Sequence, residues 1–103
     1  MYKIRYLPLA LDDLKVIVRY IAFELESPQA AEKFRIKLNK EVRKIAVNPF
    51  RCHLYTPPKK LKFEYRVLHI DNYSLFYYVA DNSKIEIHRV IYSKRDFKSI
   101  LHD

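Results

Sequence analysis

The apolar residues of this chain change their spacing once, and that change limits the folds open to it. From Leu11 to Ile45 they recur at three and four residues: Leu11, Leu14, Val18, Ile21 and Leu25, then Ala31, Phe34, Leu38, Val42 and Ile45. This is the period of helices that bury one stripe. From Phe63 onward the period is two, with Phe63, Tyr65, Val67 and His69 alternating with Lys62, Glu64, Arg66 and Leu68, followed by the aromatic run Tyr73 to Val79 and by residues 84–92. That is the period of strands. A short strand over 2–6 precedes the helices, with Tyr2, Ile4 and Tyr6 on one face and Lys3 and Arg5 on the other.

Local punctuation sets the element boundaries. Pro8 opens a helix over about 8–25, with Asp12 and Asp13 near its positive end. Ser27-Pro28 supplies an N-cap and a first-turn proline for a second helix over about 28–47, which stops at Asn48-Pro49. So short a connection folds the two helices into an antiparallel hairpin, whose outer face holds Lys33, Lys37, Lys40 and Lys44. The segment 48–61, with Pro49, Pro57, Pro58, Lys59 and Lys60, has no period and reads as a rigid basic loop. Asp71-Asn72 and Asp81-Asn82-Ser83 are turn formers, so the three later strands form an antiparallel meander. The segment from Ser93 to Leu101 is at most a short helical tail. The expected architecture is α+β: strand, helical hairpin, small antiparallel sheet (β-α-α-β-β-β) and tail, one domain over residues 1–103.

Composition removes several function classes. The chain has no glycine, which excludes phosphate loops that need glycine backbone. The single Cys52 cannot form an internal disulfide or a cysteine-based zinc site, and His53, His69 and His102 share no ligand spacing with it or with one another. No metal or cofactor is expected. His88 alternates with Ile87 and reads as a strand histidine rather than an acid or base. The alternating residues Met1 to Tyr6 do not read as a signal h-region and the sequence has no apolar run of membrane-spanning length, so neither export nor membrane contact is expected and a reducing cytoplasm is the expected compartment. Lys plus Arg outnumber Asp plus Glu by 20 to 12, a net charge of +8, which calls for a polyanionic partner.

An ordered series of short matches then narrows the reading. Ala10-Leu11-Asp12-Asp13-Leu14, Tyr20-Ile21, Pro28-Gln29-Ala30-Ala31, Asn48-Pro49-Phe50, Tyr65-Arg66-Val67-Leu68, Asn72-Tyr73, Phe76-Tyr77 and Ile87-His88-Arg89-Val90-Ile91-Tyr92 with Arg95-Asp96 resemble the RelE/ParE toxin superfamily over nearly the whole chain. The resemblance implies the toxin half of a type II toxin-antitoxin module, inhibiting growth until a cognate acidic antitoxin, encoded beside it, wraps and neutralises it. Such toxins leave apolar grooves beside the hairpin or along the sheet edge, which in the free toxin could pair two copies as a homodimer.

The superfamily divides by activity. RelE-like members cleave mRNA on the ribosome, and ParE-like members inhibit DNA gyrase. Cleavage needs cations to stabilise the phosphate transition state and a group to move protons. If this chain cuts RNA, the resemblance points to Arg66, Arg89, Tyr92 and Arg95 as its catalytic groups. Lys59, Lys60, Lys62 and Lys94 are the candidates for RNA or partner binding. Ser74 stands where cleaving relatives carry an arginine, and the helical hairpin looks more like the ParE branch. A gyrase inhibitor, an mRNA endonuclease and an antitoxin-binding module without toxicity are the three readings that follow.

Overall fold

The computed structural model describes residues 1–57 and 60–101. Strand β1 (Lys3–Tyr6) runs into helix α1 (Pro8–Arg19), which continues as a π-helical turn over Tyr20–Glu24; helix α2 spans Pro28–Val47. Strands β2 (His53–Leu54), β3 (Arg66–Ile70), β4 (Tyr73–Asp81) and β5 (Lys84–Tyr92) follow, and the described chain closes with a single helical turn, Phe97–Ile100. The sheet order is β1-β5-β4-β3-β2. The meander β3-β4-β5 is antiparallel, as expected.

The sheet as a whole is mixed, because β1 pairs parallel with β5. The helical hairpin carries the chain across one face of the sheet, and that crossover lets the first strand lie alongside the last in the same direction. The 48–61 segment also differs from its expectation as plain loop: His53 and Leu54 pair with Val67 and Arg66 as the edge strand β2.

The second helix begins and ends where its punctuation says. Ser27 Oγ accepts a hydrogen bond from the Ala30 amide at 3.2 Å, and Pro28 fills the first turn, so the helix start satisfies one of its orphan N–H groups. The first helix departs from expectation. Beyond Arg19 it widens, the Leu25 amide reaching back to the Tyr20 carbonyl at 3.1 Å, and the wider turn shifts the phase of its side chains. Ala10, Ile17 and Ile21 are the deeply buried residues of this segment, while Leu11 and Leu25, expected in the core stripe, are exposed, Leu25 directly after the wide turn. Without glycine, the left-handed backbone positions at Glu26 (φ 51°) and Asp71 (φ 53°) are filled by residues with a Cβ, a local cost of about 1 kcal/mol each.

Both faces of the sheet are covered, which accounts for the nearly continuous apolar run in β4. Leu75 and Tyr77 with Leu68, Ile70, Ile85, Ile87 and Val90 pack under the helices. Phe76 and Tyr78 with Tyr65 and Ile91 form a second core on the opposite face, capped by Tyr55, Leu61, Phe97 and Leu101. The helical hairpin covers one face of the sheet, and apolar residues of the loop and tail cover the other.

Candidate functional site

The best-defined polar feature of the molecule ties α1 to β5. Asp13 Oδ2 accepts from Arg89 Nε at 2.7 Å and from the Val90 amide at 2.9 Å, and its Oδ1 accepts from Arg89 Nη2 at 2.9 Å. The side chains are only 19% and 16% exposed. A bulge in β5 prepares this contact: Phe76 faces Arg89 while Tyr77 faces Ile87, so His88 is the extra residue and the strand twists. The hydrogen bonds that Arg89 donates to Asp13 hold the guanidinium pKa above its ordinary value, against the opposing effect of burial. Such a bidentate, charge-assisted pair fixes orientation as well as energy.

Beside this clamp opens a cleft of about 650 Å³ between helix and sheet. Val16, Ile17 and Tyr20 form its helical wall, Tyr73, Val90, Ile91 and Tyr92 its sheet wall, and Asp13 and Arg95 stand at its polar margins. A neighbouring groove of about 640 Å³ shares Tyr20, Tyr73 and Tyr92 and adds Leu25 and Phe34. Three phenols therefore converge where the two meet. Tyr73 packs edge-on against Phe34 at 5.4 Å and Tyr92 at 6.0 Å, and burial, helped by Tyr20 and Tyr92, raises its pKa. Val16, Tyr20 and Tyr92 are 69%, 49% and 40% exposed, so this wall is apolar surface left facing water.

The residues suggested by the resemblance are not gathered at one point. Arg66 Nη1 donates to the carbonyl of Cys52 at 2.7 Å and, at 3.4 Å, to that of Phe50, whose ring lies 5.1 Å below the guanidinium. Together with Tyr77, whose hydroxyl donates to the Pro49 carbonyl at 2.7 Å, it holds the turn after α2 against the sheet. Arg66 lies in the row of Tyr77 and Ile87, and Tyr92 in the row of Tyr73 and Ile70. Four residues of strand rise separate these rows by roughly 13 Å, with two strand spacings, roughly 10 Å, across the sheet. Tyr92, Lys94 and Arg95 are exposed together at the end of β5. Lys60 and Lys62 are exposed on the long loop, Lys62 with its ammonium 5.3 Å from the Phe63 ring centre. Lys59 and His102 lie outside the described residues.

Ser74 is fully buried on the face away from the helices, its Oγ 3.1 Å from His69 Nδ1 and 2.8 Å from Ser93 Oγ. Among the described residues no group of three or more His, Cys, Asp or Glu could hold a metal ion. No described helix is long and apolar enough to cross a membrane.

Residues 4–97 match the family model of the ParE toxin of type II toxin-antitoxin systems, parDE. The chain belongs to the ParE toxin family. Its fold is that of a chain in the solved structure described as the chromosomal ParDE TA system from P. aeruginosa: the two superpose with a TM-score of 0.70 at 19% identity, over 91% of this chain and 98% of that one. A search of curated proteins gave no match.

This ParE-family toxin has a second polar lock on the face opposite the helices. Tyr78 donates to Glu86 Oε1 at 2.7 Å, and Glu86 Oε2 pairs with Arg5 at 3.2 Å. Burial first, and the bond to Glu86 second, push the Tyr78 pKa well above the ordinary tyrosine value; burial does the same to Tyr77. The unfolded chain releases these phenolic protons near pH 10, while the folded chain keeps them. Their contribution is thus complete below that pH and is lost as the pH rises above it. Thermal melts are expected to fall progressively as the pH rises above about 10, and Tyr78→Phe should flatten the decline; an unchanged slope would show that Tyr78 does not couple to folding.

Asp13 and Val16 had no functional part in the sequence reading. The signal for Val16 was present: it is apolar but lies off the buried stripe of α1. For Asp13 the signals were its place near a helix start and in one of the family-like segments, and neither points to Arg89, because that partner is 76 residues away.

Proposed function

We propose that this toxin acts by binding its target, with DNA gyrase the favoured class, rather than by cutting RNA, and that an acidic antitoxin neutralises it by seating an apolar segment in the helix–sheet cleft. The observation that carries the first part is the Asp13 clamp on Arg89. A cation that stabilises a cleavage transition state must be aimed, unneutralised, at the developing charge. Arg89 instead meets a carboxylate, Arg66 meets backbone carbonyls, and Ser74 fills the position at which RNA-cleaving relatives carry an arginine. The ParE-like helical hairpin supports gyrase as the target.

The antitoxin part rests on complementarity. The chain carries +8, and the helix–sheet cleft is apolar with an exposed wall, so a chain segment with apolar anchors and acidic flanks suits both. Exposed Tyr92, Lys94 and Arg95 are the groups we assign to contact with target or partner. The setting this implies is the cytoplasm.

The test is brief induction of the chain alone in a bacterial host, with mRNA 5′ ends and gyrase-linked DNA breaks mapped in the same cells. DNA breaks with intact mRNA are expected. Ribosome-phased cuts in mRNA would overturn the reading and return Arg66, Arg89, Tyr92 and Arg95 to catalytic roles. Harmless expression with tight antitoxin binding would identify a module that only binds.

A further inference from the structure

Helix α2 concentrates charge in a way that the cleft and its proposed partner do not use. It carries Lys33, Arg35, Lys37, Lys40, Arg43 and Lys44 against Glu32 and Glu41, six cations to two carboxylates, so its net +4 is half the +8 of the whole chain. At 100° per residue, Lys33, Lys37, Lys40 and Lys44 fall within about 60° of one another on the helix circumference, turned away from the buried Phe34, Leu38, Val42 and Ile45. Successive members stand three or four residues apart, so each faces a like charge. Such pairs weaken a helix by a few tenths of a kcal/mol each, where alternating signs would strengthen it.

Two carboxylates abut the stripe. Asp71 Oδ1 pairs with Lys37 at 2.6 Å and Glu41 Oε2 with Lys44 at 2.7 Å, the lysine side chains being 57% and 42% exposed; exposed pairs of this kind are weak and exchange readily. Among the described residues Lys33 and Lys40 have no ion-pair partner. The Lys44 hydrogen bond, with Arg51 and Lys40 nearby, lowers the Glu41 pKa, as a field that is still positive would. A groove of about 480 Å³ runs along this line between α2 and the β3–β4 turn.

We propose that the outward face of α2 is a docking surface for the phosphate backbone of duplex DNA. The stripe is straight and about 16 Å long, and a duplex presents a charge about every 1.7 Å of its axis, so several phosphates can face four ammonium groups at once. Single-stranded nucleic acid fits less well. It is held by stacking on aromatic rings, and the one aromatic residue between Lys33 and Lys44, Phe34, is buried. A protein partner also fits less well, since protein interfaces favour aromatic residues and arginine and are poor in lysine. Lysine point charges without base-reading groups give binding that is indifferent to sequence and steep in salt. The inference stands independently of whether the toxin acts on gyrase or on RNA.

The test is fluorescence anisotropy with a labelled 20-base-pair duplex of arbitrary sequence and the purified full chain. With three or four phosphates engaged, affinity is expected to fall roughly 40–150-fold between 50 and 200 mM salt. The variant with Lys33, Lys37, Lys40 and Lys44 all changed to Gln should lose at least tenfold at 50 mM and flatten the logarithmic salt slope by about 3. A second variant of equal net charge, Lys3→Gln, Lys15→Gln, Arg19→Gln and Lys84→Gln, removes exposed cations elsewhere and should keep most of the affinity and slope. Circular dichroism of each variant establishes that it is folded. Equal losses in the two variants would reduce the effect to net charge and overturn the proposal. So would absence of binding at 50 mM, tighter binding of a single strand of the same length, or displacement of the duplex by polyglutamate at equal charge.

Discussion

Asp13→Ala is expected to lower the stability of the chain by about 3 kcal/mol, measured by urea or thermal unfolding of the purified protein. The carboxylate is mostly removed from water and engages three donors, two on Arg89 and one on the Val90 backbone. Its loss leaves a poorly solvated guanidinium without a counter-charge and an amide in the sheet without an acceptor, which is why the effect exceeds that of an exposed ion pair. In a domain of this length, where 1 kcal/mol moves the midpoint by about 4–8 °C, the melting temperature should drop by roughly 12–24 °C. Arg89→Ala should cost less, about 1–2 kcal/mol, because Asp13 would still accept from Val90 and could turn toward water. A loss below about 1 kcal/mol for Asp13→Ala would place the pair among ordinary surface contacts.

The same variants separate a structural arginine from a catalytic one. Asp13→Ala leaves Arg89 in place and removes the charge that neutralises it. If Arg89 were an RNA-cleaving cation, freeing it should preserve or raise mRNA cutting per folded molecule. If it is a clamp, toxicity should fall with stability in both variants. Loss of toxicity in Arg89→Ala alone cannot make that distinction, because the substitution also loosens α1 from β5.

The features legible in the sequence are those set by local chemistry. Ser27-Pro28 caps and opens α2, and Asn48-Pro49 ends it, because a cap involves only neighbours in the chain. The β3-β4-β5 meander was readable because short turns leave adjacent strands little choice of partner. The parallel pairing of β1 with β5 was hidden, since Lys3 and Lys84 meet only through the crossover. The π-helical turn at Tyr20–Glu24 carries no residue that an α-helix would refuse, and so the outward swing of Leu25 could not be foreseen. At the site, Arg66 and Arg89 were visible as cations on strands. What occupies them, the Phe50 and Cys52 carbonyls for Arg66 and the Asp13 carboxylate for Arg89, depends on contacts between distant segments. An apolar groove beside the hairpin was implied by the resemblance, but its walls could not be named for a related reason: Val16 and Tyr20 count as ordinary helix residues until the phase of α1 against β5 is known.

That phase leads to the second large effect, Val16→Asp, which is expected to weaken the complex with the cognate antitoxin at least 100-fold. Val16 is 69% exposed in the free chain, so aspartate there should leave folding nearly unchanged. In the proposed complex the new carboxylate would be covered by an apolar segment and set near a partner of its own sign. A desolvated, unpaired charge costs several kcal/mol, and 2.8 kcal/mol already corresponds to 100-fold. Tyr20→Asp, at the junction of the two grooves, should act in the same direction, while Val16→Ala should cost no more than tenfold, because it removes only two methyl groups. Calorimetric titration measures the affinity, and coexpression measures rescue of growth. If Val16→Asp remains toxic when expressed alone but can no longer be rescued, the cleft is the seat of the antitoxin and is separate from the target surface. Rescue at wild-type levels by both aspartate variants would place the antitoxin elsewhere on the chain, and loss of toxicity with neutralisation intact would make this wall the surface that meets the target.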